Sequence, residues 1–350
     1  MPNEVFYKLA DALDNLPNAF PRTHSGVEIE LLKKIFNAEE ASLAGRLNGE
    51  YRPVNVIAES IGLSQKQTQG DLLALAKKGF IWFKKENGAL YFRLAPFIVG
   101  IYEANLENLD HEFSHLFEHY MLEAGKDIMK YDPAIHRALP AISLAKSEWI
   151  LPYDDVKAII DKAKAFNVRD CICRVQQGLI GKGCDAPRHN CLVLSLRERS
   201  PKPGDISKDE ALAILDEAEQ ASLVHCVGNH QAELTYICNC CGCCCGVLRG
   251  VTQWGIENSI AHANYYAVID PDECANCGTC IERCQVNAIT EIKGVSVVDR
   301  KKCIGCGLCV TGCPDNVPKL IRKPDKEIVH PPIDYVDWEQ QRLQNRGSIG

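Results

Sequence analysis

Two groups of four cysteines near the C-terminus share one spacing, C-x-x-C-x-x-C-x-x-x-C. The first group is Cys274, Cys277, Cys280 and Cys284, and eighteen residues later the second is Cys303, Cys306, Cys309 and Cys313. Three thiolates this close can each bind a different iron of one [4Fe–4S] cube, and the fourth thiolate then comes from the other group. The expected ligands of the first cluster are Cys274, Cys277, Cys280 and Cys313. The expected ligands of the second cluster are Cys303, Cys306, Cys309 and Cys284.

A zinc ribbon and a set of disulfides both fit this spacing less well. A zinc ribbon uses two C-x-x-C pairs, and it leaves the third cysteine after each pair without a role. Disulfides have a narrow permitted geometry, so four cysteines within eleven residues cannot all pair without strain. The total of nineteen cysteines is also odd. The spacing therefore favours two iron–sulfur clusters.

The segment 266–325 resembles the bacterial dicluster ferredoxins, which carry two [4Fe–4S] clusters. Between the two cysteine groups, residues 291–299 look like a hairpin that turns at Lys293 and Gly294. Pro314 follows the last cysteine, as in that family, but Gln285 stands where the family usually has its other proline. The resemblance implies transfer of single electrons. The departure at Gln285 implies a less rigid loop and a different potential at the second cluster.

Eleven further cysteines lie in the middle of the chain. Four are irregularly spaced, at Cys171, Cys173, Cys184 and Cys191. The other seven are Cys226 and a run of six within eight residues, Cys238, Cys240, Cys241, Cys243, Cys244 and Cys245. Thiols this crowded are unsuited to an apolar core and oxidise if left free, so thiolate-bound metal is the economical explanation. We expect a further iron–sulfur cluster, with zinc as the alternative, at one or both of these sets or at a single site that they share.

Three polar side chains near these cysteines are candidates for the same site. Arg174 can donate hydrogen bonds to a cluster and raise its potential, or it can form a surface salt bridge. His225 and His230 are candidate ligands, with ordinary hydrogen-bonded histidines as the alternative.

Two cysteine pairs in the run are each followed by glycine, at 240–242 and 244–246. They resemble the C-C-G motif that holds non-cubane clusters in heterodisulfide-reductase-type proteins, whose distant thiols would come here from Cys171, Cys191 or Cys226. The combination of C-x-C-R, C-D and the cysteine run ahead of a ferredoxin segment also resembles uncharacterised 4Fe–4S binding proteins of anaerobic bacteria and archaea. That resemblance spans most of the chain but implies no particular substrate.

The N-terminal part of the chain has the pattern of a winged helix. Apolar spacing predicts helices at 27–36, at 53–62 and from Ser64 to about Gly79. Asn87-Gly88 between two β-rich runs is the strongest short signal for a hairpin. The helix that begins after Ser64 carries Gln65, Gln67 and Gln69 in its first turns, and their amide groups can form hydrogen bonds with the edges of DNA bases. The modest positive charge favours a scaffold that packs or contacts protein, so DNA binding is not expected.

A zinc-protease signature occurs between this part and the cysteine-rich part. Residues 111–115 match H-E-x-x-H, with His111 and His115 on one face of a helix and Glu112 as the base. His119 lies only four residues further, which is too close for the extended motif. Apolar residues at helical spacing make an ordinary packing helix the better interpretation, with a histidine-lined docking or metal site as a weaker alternative.

The predicted fold is an α+β multidomain protein. Its parts are a lead-in at 1–26, a winged helix at 27–102, a helical connector at 103–166, a cysteine-rich α/β domain at 167–265, a ferredoxin-like 2[4Fe–4S] domain at 266–325 and a tail at 326–350. Within these, we expect helices at 154–166, 208–221 and 334–344, the second started by a capping box at Ser207 and Glu210. Strands are expected at 223–227 and 233–238.

Composition limits the function classes. A net charge of −7 argues against a general nucleic-acid binder and suits an electron carrier that docks on a basic partner. No run approaches the ~20 apolar residues of a membrane span, and the first twenty residues do not resemble a signal peptide. The expected thiolate-bound clusters, together with the lack of an export signal, imply that the protein works in a reducing cytoplasm, as in an anaerobe. Neither a P-loop nor a dinucleotide-binding glycine motif is present.

The expected function is iron–sulfur electron transfer, by a protein or by a subunit of a larger oxidoreductase complex, to or from a redox partner protein. Two alternatives remain. The middle cysteines can form the substrate site of an oxidoreductase that reduces a small molecule. The clusters can instead control DNA binding by residues 53–93.

Overall fold

The computed structural model describes residues 3–144 and 150–347. They form two compact units, Met1–Ile128 with Leu343–Gly350, and Met129–Arg342. Small parts of the predicted lead-in, connector and tail, at 1–2, 145–149 and 348–350, lie outside the described residues. The domain boundaries expected from the sequence remain predictions.

The first unit combines helices with a small antiparallel sheet. Its helices are α1 (Glu4–Asp14), α2 (Val27–Ile35), α3 (Ala38–Ala44), α4 (Val54–Ile61), α5 (Gln65–Lys77), α6 (Tyr102–Ala104) and α7 (His111–Met129). Its strands are β1 (Arg52–Pro53), β2 (Ile81–Glu86) and β3 (Ala89–Leu94), with β3 in the centre.

Local signals explain where α5 and the hairpin form. The Ser64 hydroxyl accepts a hydrogen bond from the backbone N–H of Gln67 at 3.3 Å and so caps α5. Asn87 and Gly88 have φ of 49° and 82°, the left-handed conformations of a tight hairpin turn. The hairpin and the helices α2, α4 and α5 lie where the sequence predicts them, whereas α1 and α3 were not predicted. The winged-helix assignment itself remains a prediction.

The second unit contains a mixed sheet and a C-terminal cysteine-rich segment. Its strands are β4 (His136–Ala138), β5 (Ala165–Asp170), β6 (His189–Ser195), β7 (Asp205–Ile206), β8 (Val224–Gly228), β9 (Tyr236–Cys240), β10 (Ile260–Ala261), β11 (Tyr265–Val268), β12 (Ile289–Ile292), β13 (Val295–Val298) and β14 (Lys319–Arg322). Its helices are α8 (Val156–Lys162), α9 (Ile172–Leu179), α10 (Lys208–Gln220), α11 (Gly246–Thr252), α12 (Thr279–Glu282), α13 (Leu308–Gly312) and α14 (Tyr335–Asn345).

Seven of these strands form one sheet in the order β10-β4-β8-β9-β6-β5-β7. Apolar residues of α8 and α10 pack against one face, where Leu192, Val227 and Ile237 are fully buried. The residues next to these three in the strands are Cys191, Cys226 and Cys238. Because side chains alternate along a strand, these cysteines lie on the opposite face of the sheet.

Two predictions about this sheet were wrong in detail. The predicted helical connector contributes strand β4, which pairs with β8 and β10. The helix predicted at 154–166 ends at Lys162, and Phe166 pairs with Leu194 in the sheet. Burial of Phe166 in the sheet core outweighs the helical spacing of the segment. The capping box of α10 is present as predicted, with the Ser207 hydroxyl accepting from the Glu210 backbone at 3.2 Å.

The C-terminal segment of this unit is made of two antiparallel strand pairs and two short helices. β11 pairs with β14, and β12 pairs with β13. The predicted turn between β12 and β13 is present, with φ of 53° at Lys293 and 82° at Gly294. Helices α12 and α13 each follow a glycine with positive φ, Gly278 and Gly307. In the part of the chain that the structure describes, no helix has the length and apolar character needed to cross a membrane.

Candidate metal centres

The four cysteines expected to bind the first cluster surround one cavity. Its lining includes Cys274, Cys277, Cys280 and Cys313. The backbone N–H of Ser296 donates to Cys274 and lowers its pKa, and a hydrogen bond with the Thr279 hydroxyl at 3.5 Å lowers that of Cys277. These contacts favour thiolates, the form that binds iron. Cys277 is exposed, so the cavity lies at the surface of the unit.

The other expected set, Cys284, Cys303, Cys306 and Cys309, is deeper. Burial and then the charges of Cys303 and Cys284 raise the pKa of Cys309 to about 12. The backbone N–H of Ala288 donates to the Cys284 sulfur at 3.2 Å. Thiolates that repel one another in a buried place require a cation, so this donor set fits an iron–sulfur cluster.

Residues 266–314 match the family model of the 4Fe-4S dicluster domain. The match contains all eight of these cysteines and supports [4Fe–4S] clusters and an iron–sulfur electron-transfer role. We call this segment the dicluster domain. No curated protein matches the chain, so the resemblance to whole 4Fe–4S binding proteins has no support beyond this segment.

The eleven other cysteines separate into two groups. One group, the tetrad, is Cys184, Cys241, Cys243 and Cys244, whose sulfur atoms all lie within 4.8 Å of one another. The sulfur of Cys184 is 3.9 Å from that of Cys241 and 3.7 Å from that of Cys244. The sulfurs of Cys243 and Cys244 are 3.7 Å apart. Four convergent thiols at such separations can bind a metal ion.

The remaining cysteines, Cys171, Cys173, Cys191, Cys226, Cys238, Cys240 and Cys245, form a second group, the seven-thiol group. Hydrogen bonds between thiols connect Cys171 to Cys173, Cys173 to Cys245, Cys245 to Cys240, Cys240 to Cys226 and Cys238, and Cys238 to Cys191. The hydrogen bond with Cys226 and burial raise the pKa of Cys240 to about 12. A metal cation offsets this crowding of thiolates, so the donor set fits a metal centre.

Strand pairing assembles the seven-thiol group. Cys226 of β8 and Cys238 of β9 are directly opposite in the antiparallel ladder. Cys191 of β6 contacts Cys238 from the other side. The three thiols therefore form a row across neighbouring strands on one face of the sheet.

The two members of each adjacent cysteine pair belong to different groups. Cys240 is in the seven-thiol group and Cys241 in the tetrad; Cys245 and Cys244 divide in the same way. Cys241 and Cys244 pack against the C-terminal end of α10. The cysteine run thus lines two centres, and this arrangement does not support a single cluster held by both cysteines of a C-C-G motif.

Arg174 is buried beside the tetrad, so the surface salt bridge considered from the sequence is not its role. Its guanidinium donates to the backbone carbonyl of Asn239 at 3.0 Å, to Asn190 Oδ1 at 2.5 Å and to the sulfur of Cys241 at 3.7 Å. A hydrogen bond from Cys244 and then the Arg174 charge hold the pKa of Cys241 well below its usual value. The two asparagines that hold Arg174 were missed from the sequence, because they are distant along the chain.

The candidate histidines have other partners. His225 Nδ1 lies 2.6 Å from Asn239 Oδ1, and His230 Nδ1 lies 2.6 Å from the carbonyl of Ala232. Burial lowers the pKa of both. His230 thus has the contact of an ordinary hydrogen-bonded histidine, the alternative considered from the sequence, whereas the buried Nε2 of His225 has no hydrogen-bond partner among the described residues.

The H-E-x-x-H motif lies on α7. The ring nitrogens of His111 and His115 approach to 3.2 Å, but Glu112 is paired with Lys34, and His119 is paired with Glu123 at 2.7 Å. The candidate base Glu112 is therefore held by Lys34, and His119 contacts Glu123, which agrees with an ordinary helix.

The dicluster domain contacts the cysteine run directly. The side-chain oxygen of Gln285 accepts a hydrogen bond from the backbone N–H of Gly242 at 2.8 Å. Arg283 donates to the backbone carbonyls of Glu219 at 2.8 Å and Gln220 at 3.1 Å, at the end of α10. Gln285 replaces the proline that is usual in dicluster ferredoxins, and this departure is the sequence signal for the contact with Gly242.

Proposed function

We propose that this chain is an iron–sulfur electron-transfer protein in which the dicluster domain exchanges electrons with a third iron–sulfur centre at the seven-thiol group. A [4Fe–4S] cluster supplies one-electron chemistry at a potential set by burial and hydrogen bonds to sulfur. The residues of the chain hold these groups, exclude water from them and fix their separation.

The link between Cys306 and strand β8 carries this proposal. The backbone N–H of Ala141 donates to the carbonyl of Cys306 at 2.9 Å, and that of Leu139 donates to the carbonyl of His225 at 2.9 Å. A segment of three residues therefore joins the second cluster's ligand loop to the strand that carries Cys226. A hydrogen bond with Cys240 lowers the pKa of Cys226, but burial and then the charges of Cys245 and Cys306 raise it above its usual value. This proximity supports electron exchange between the two centres.

An external redox partner would contact the first cluster's site. Cys277 is exposed there, whereas Cys309 at the second site is buried. Exposed carboxylates at Asp270, Asp272 and Glu273 precede the first ligand. Complementary charge steers association of proteins, so we propose a partner with a basic docking surface.

The first unit is proposed to be a winged-helix scaffold. Helices α4 and α5 and the β2–β3 hairpin support this assignment. Charges on the hairpin are partly neutralised, because Lys84 pairs with Glu86 at 2.8 Å. This favours a structural or protein-contact role over DNA binding.

The test uses the full chain purified without oxygen. We expect about twelve or more irons per chain with matching acid-labile sulfide, against about eight for two cubanes alone. Cys226→Ser should lose the iron in excess of about eight and keep the paramagnetic signals of the dicluster domain. After mixing with less than one equivalent of reductant, freeze-quenched samples should show dicluster signals that decay as the third centre becomes reduced.

Two results would overturn the proposal. The first is about eight irons in both the wild type and the Cys226→Ser variant. The second is a third centre whose oxidation state stays constant while the dicluster signals change.

A further inference from the structure

The spacing of the tetrad differs from that of the expected cubane ligands. A tetrahedral zinc ion with four Zn–S bonds of about 2.3 Å places its sulfurs about 3.8 Å apart. Three of the six sulfur–sulfur separations in the tetrad are 3.7, 3.7 and 3.9 Å, and all six are within 4.8 Å. They are also far longer than the ~2.05 Å of a disulfide. The tetrad therefore has the size of a shell around one ion.

The dicluster domain provides an internal comparison. Each thiolate of a cubane binds a separate iron, so its four sulfurs stand farther apart than the ligands of one ion. Among the described residues, the tetrad is the single set of three or more His, Cys, Asp or Glu side chains whose ligand atoms all lie within 4.8 Å. The two ligand sets of the dicluster domain and the seven-thiol group do not meet that limit.

The surroundings of the tetrad suit a closed structural ion. Four thiolates around a divalent cation carry a net charge of about −2, and the buried guanidinium of Arg174 lies 3.7 Å from Cys241. All four coordination positions are cysteines, which leaves none open for substrate, as in structural zinc sites. The tetrad also packs against α10, whereas Cys191, Cys226 and Cys238 lie on the opposite face of the sheet.

We propose that Cys184, Cys241, Cys243 and Cys244 bind one zinc ion, at a site separate from every iron–sulfur centre of the chain. The observation that carries this is the convergence of four sulfurs within 4.8 Å, with three of their six separations close to the value for a tetrahedral zinc site. The zinc ties the loop at 241–244 to Cys184, and the residues on either side of this loop, Cys240 and Cys245, belong to the seven-thiol group. The inference does not depend on electron transfer or on iron at the seven-thiol group.

The first measurement is X-ray absorption at the zinc edge on the full chain, purified anaerobically and exchanged into zinc-free buffer. It requires no variant and reports on zinc alone. We expect about one zinc per chain with four sulfur neighbours at about 2.3 Å. Zinc well below one per chain, or zinc bound by nitrogen and oxygen, would overturn the proposal.

A pair of variants then locates the ion. Cys243→Ser removes an exposed member of the tetrad, and Cys226→Ser is the control in the seven-thiol group. We expect the first variant to lose most of its zinc and keep the iron of the dicluster domain. We expect the second to keep its zinc. Loss of iron and sulfide with unchanged zinc in Cys243→Ser would show that the tetrad belongs to an iron–sulfur centre and would refute the assignment.

Discussion

Substitutions at Arg174 distinguish the effect of its positive charge on zinc binding from the effect of its planar guanidinium group. Arg174→Met should weaken zinc binding about 10–100-fold, the usual effect of losing a partner of a metal ligand. Arg174→Lys keeps the positive charge but not the planar fork that contacts Asn239 and Asn190, so it should fall between the wild type and Arg174→Met. Competition with a chromophoric chelator measures the affinities. Equal affinities in all three proteins would contradict the role given to Arg174.

The sequence predicts a metal site well when the ligands of that site follow a recognisable spacing along the chain. Three of the four expected ligands of each cluster in the dicluster domain lie three residues apart, and the fourth ends the matching motif of the other group, so the repeated spacing predicts both sets. The tetrad joins Cys184 to residues almost sixty positions later, and strand pairing brings Cys238 next to both Cys191 and Cys226. Such distant partners have no signature in spacing, and the sequence therefore left open whether the middle cysteines formed one site or two.

At the scale of elements, the loop of the cysteine run depends on a glycine. A Cβ added at Gly242 would meet the backbone carbonyl oxygen of Gln285 at 2.0 Å. Gly242→Ala must therefore push the run away from the dicluster domain. We expect a stability loss of about 1–3 kcal/mol, as for an overpacked core, and slower reduction of the third centre with dicluster iron retained.

The matched control is Gly70→Ala in α5, where an added Cβ meets nothing within 4 Å. Thermal denaturation of the anaerobic proteins gives the stability comparison, and freeze-quench spectroscopy gives the rate. If Gly242→Ala matched Gly70→Ala in both, the contact between Gln285 and Gly242 would have no role in stability or in coupling.

The elements that the sequence predicted correctly are those whose turns or caps are determined by neighbouring residues. Asn87-Gly88 and Lys293-Gly294 determine their hairpins through left-handed turn residues, and Ser207 starts α10 through its capping box. The end of α8 could not be predicted in this way. Phe166 satisfies a helical pattern equally well, and only its pairing with Leu194 in the sheet decides its conformation.

At the scale of the whole molecule, charge separates an electron carrier from a DNA-binding regulator. The net charge is −7, and two of the cations on or next to α5 and the β2–β3 hairpin are engaged in ion pairs, Lys78 with Glu40 and Lys84 with Glu86. Nucleic-acid affinity comes mainly from neutralising phosphates with free Lys and Arg. We therefore expect the full chain to bind duplex DNA no more tightly than roughly 10⁻⁴ M at physiological salt, whether oxidised or reduced.

Anaerobic gel shift and fluorescence anisotropy with a random-sequence duplex pool, at two salt concentrations, measure this directly. The comparison variant replaces Gln65, Gln67 and Gln69 with Ala, because these exposed side chains begin α5. An electron carrier should give the same weak binding in the wild type and the variant, in both oxidation states. Tight, salt-dependent binding in one oxidation state that the variant loses would establish the regulator instead. The three glutamines lie outside the dicluster domain and the tetrad, so the substitutions change neither of these metal-binding regions.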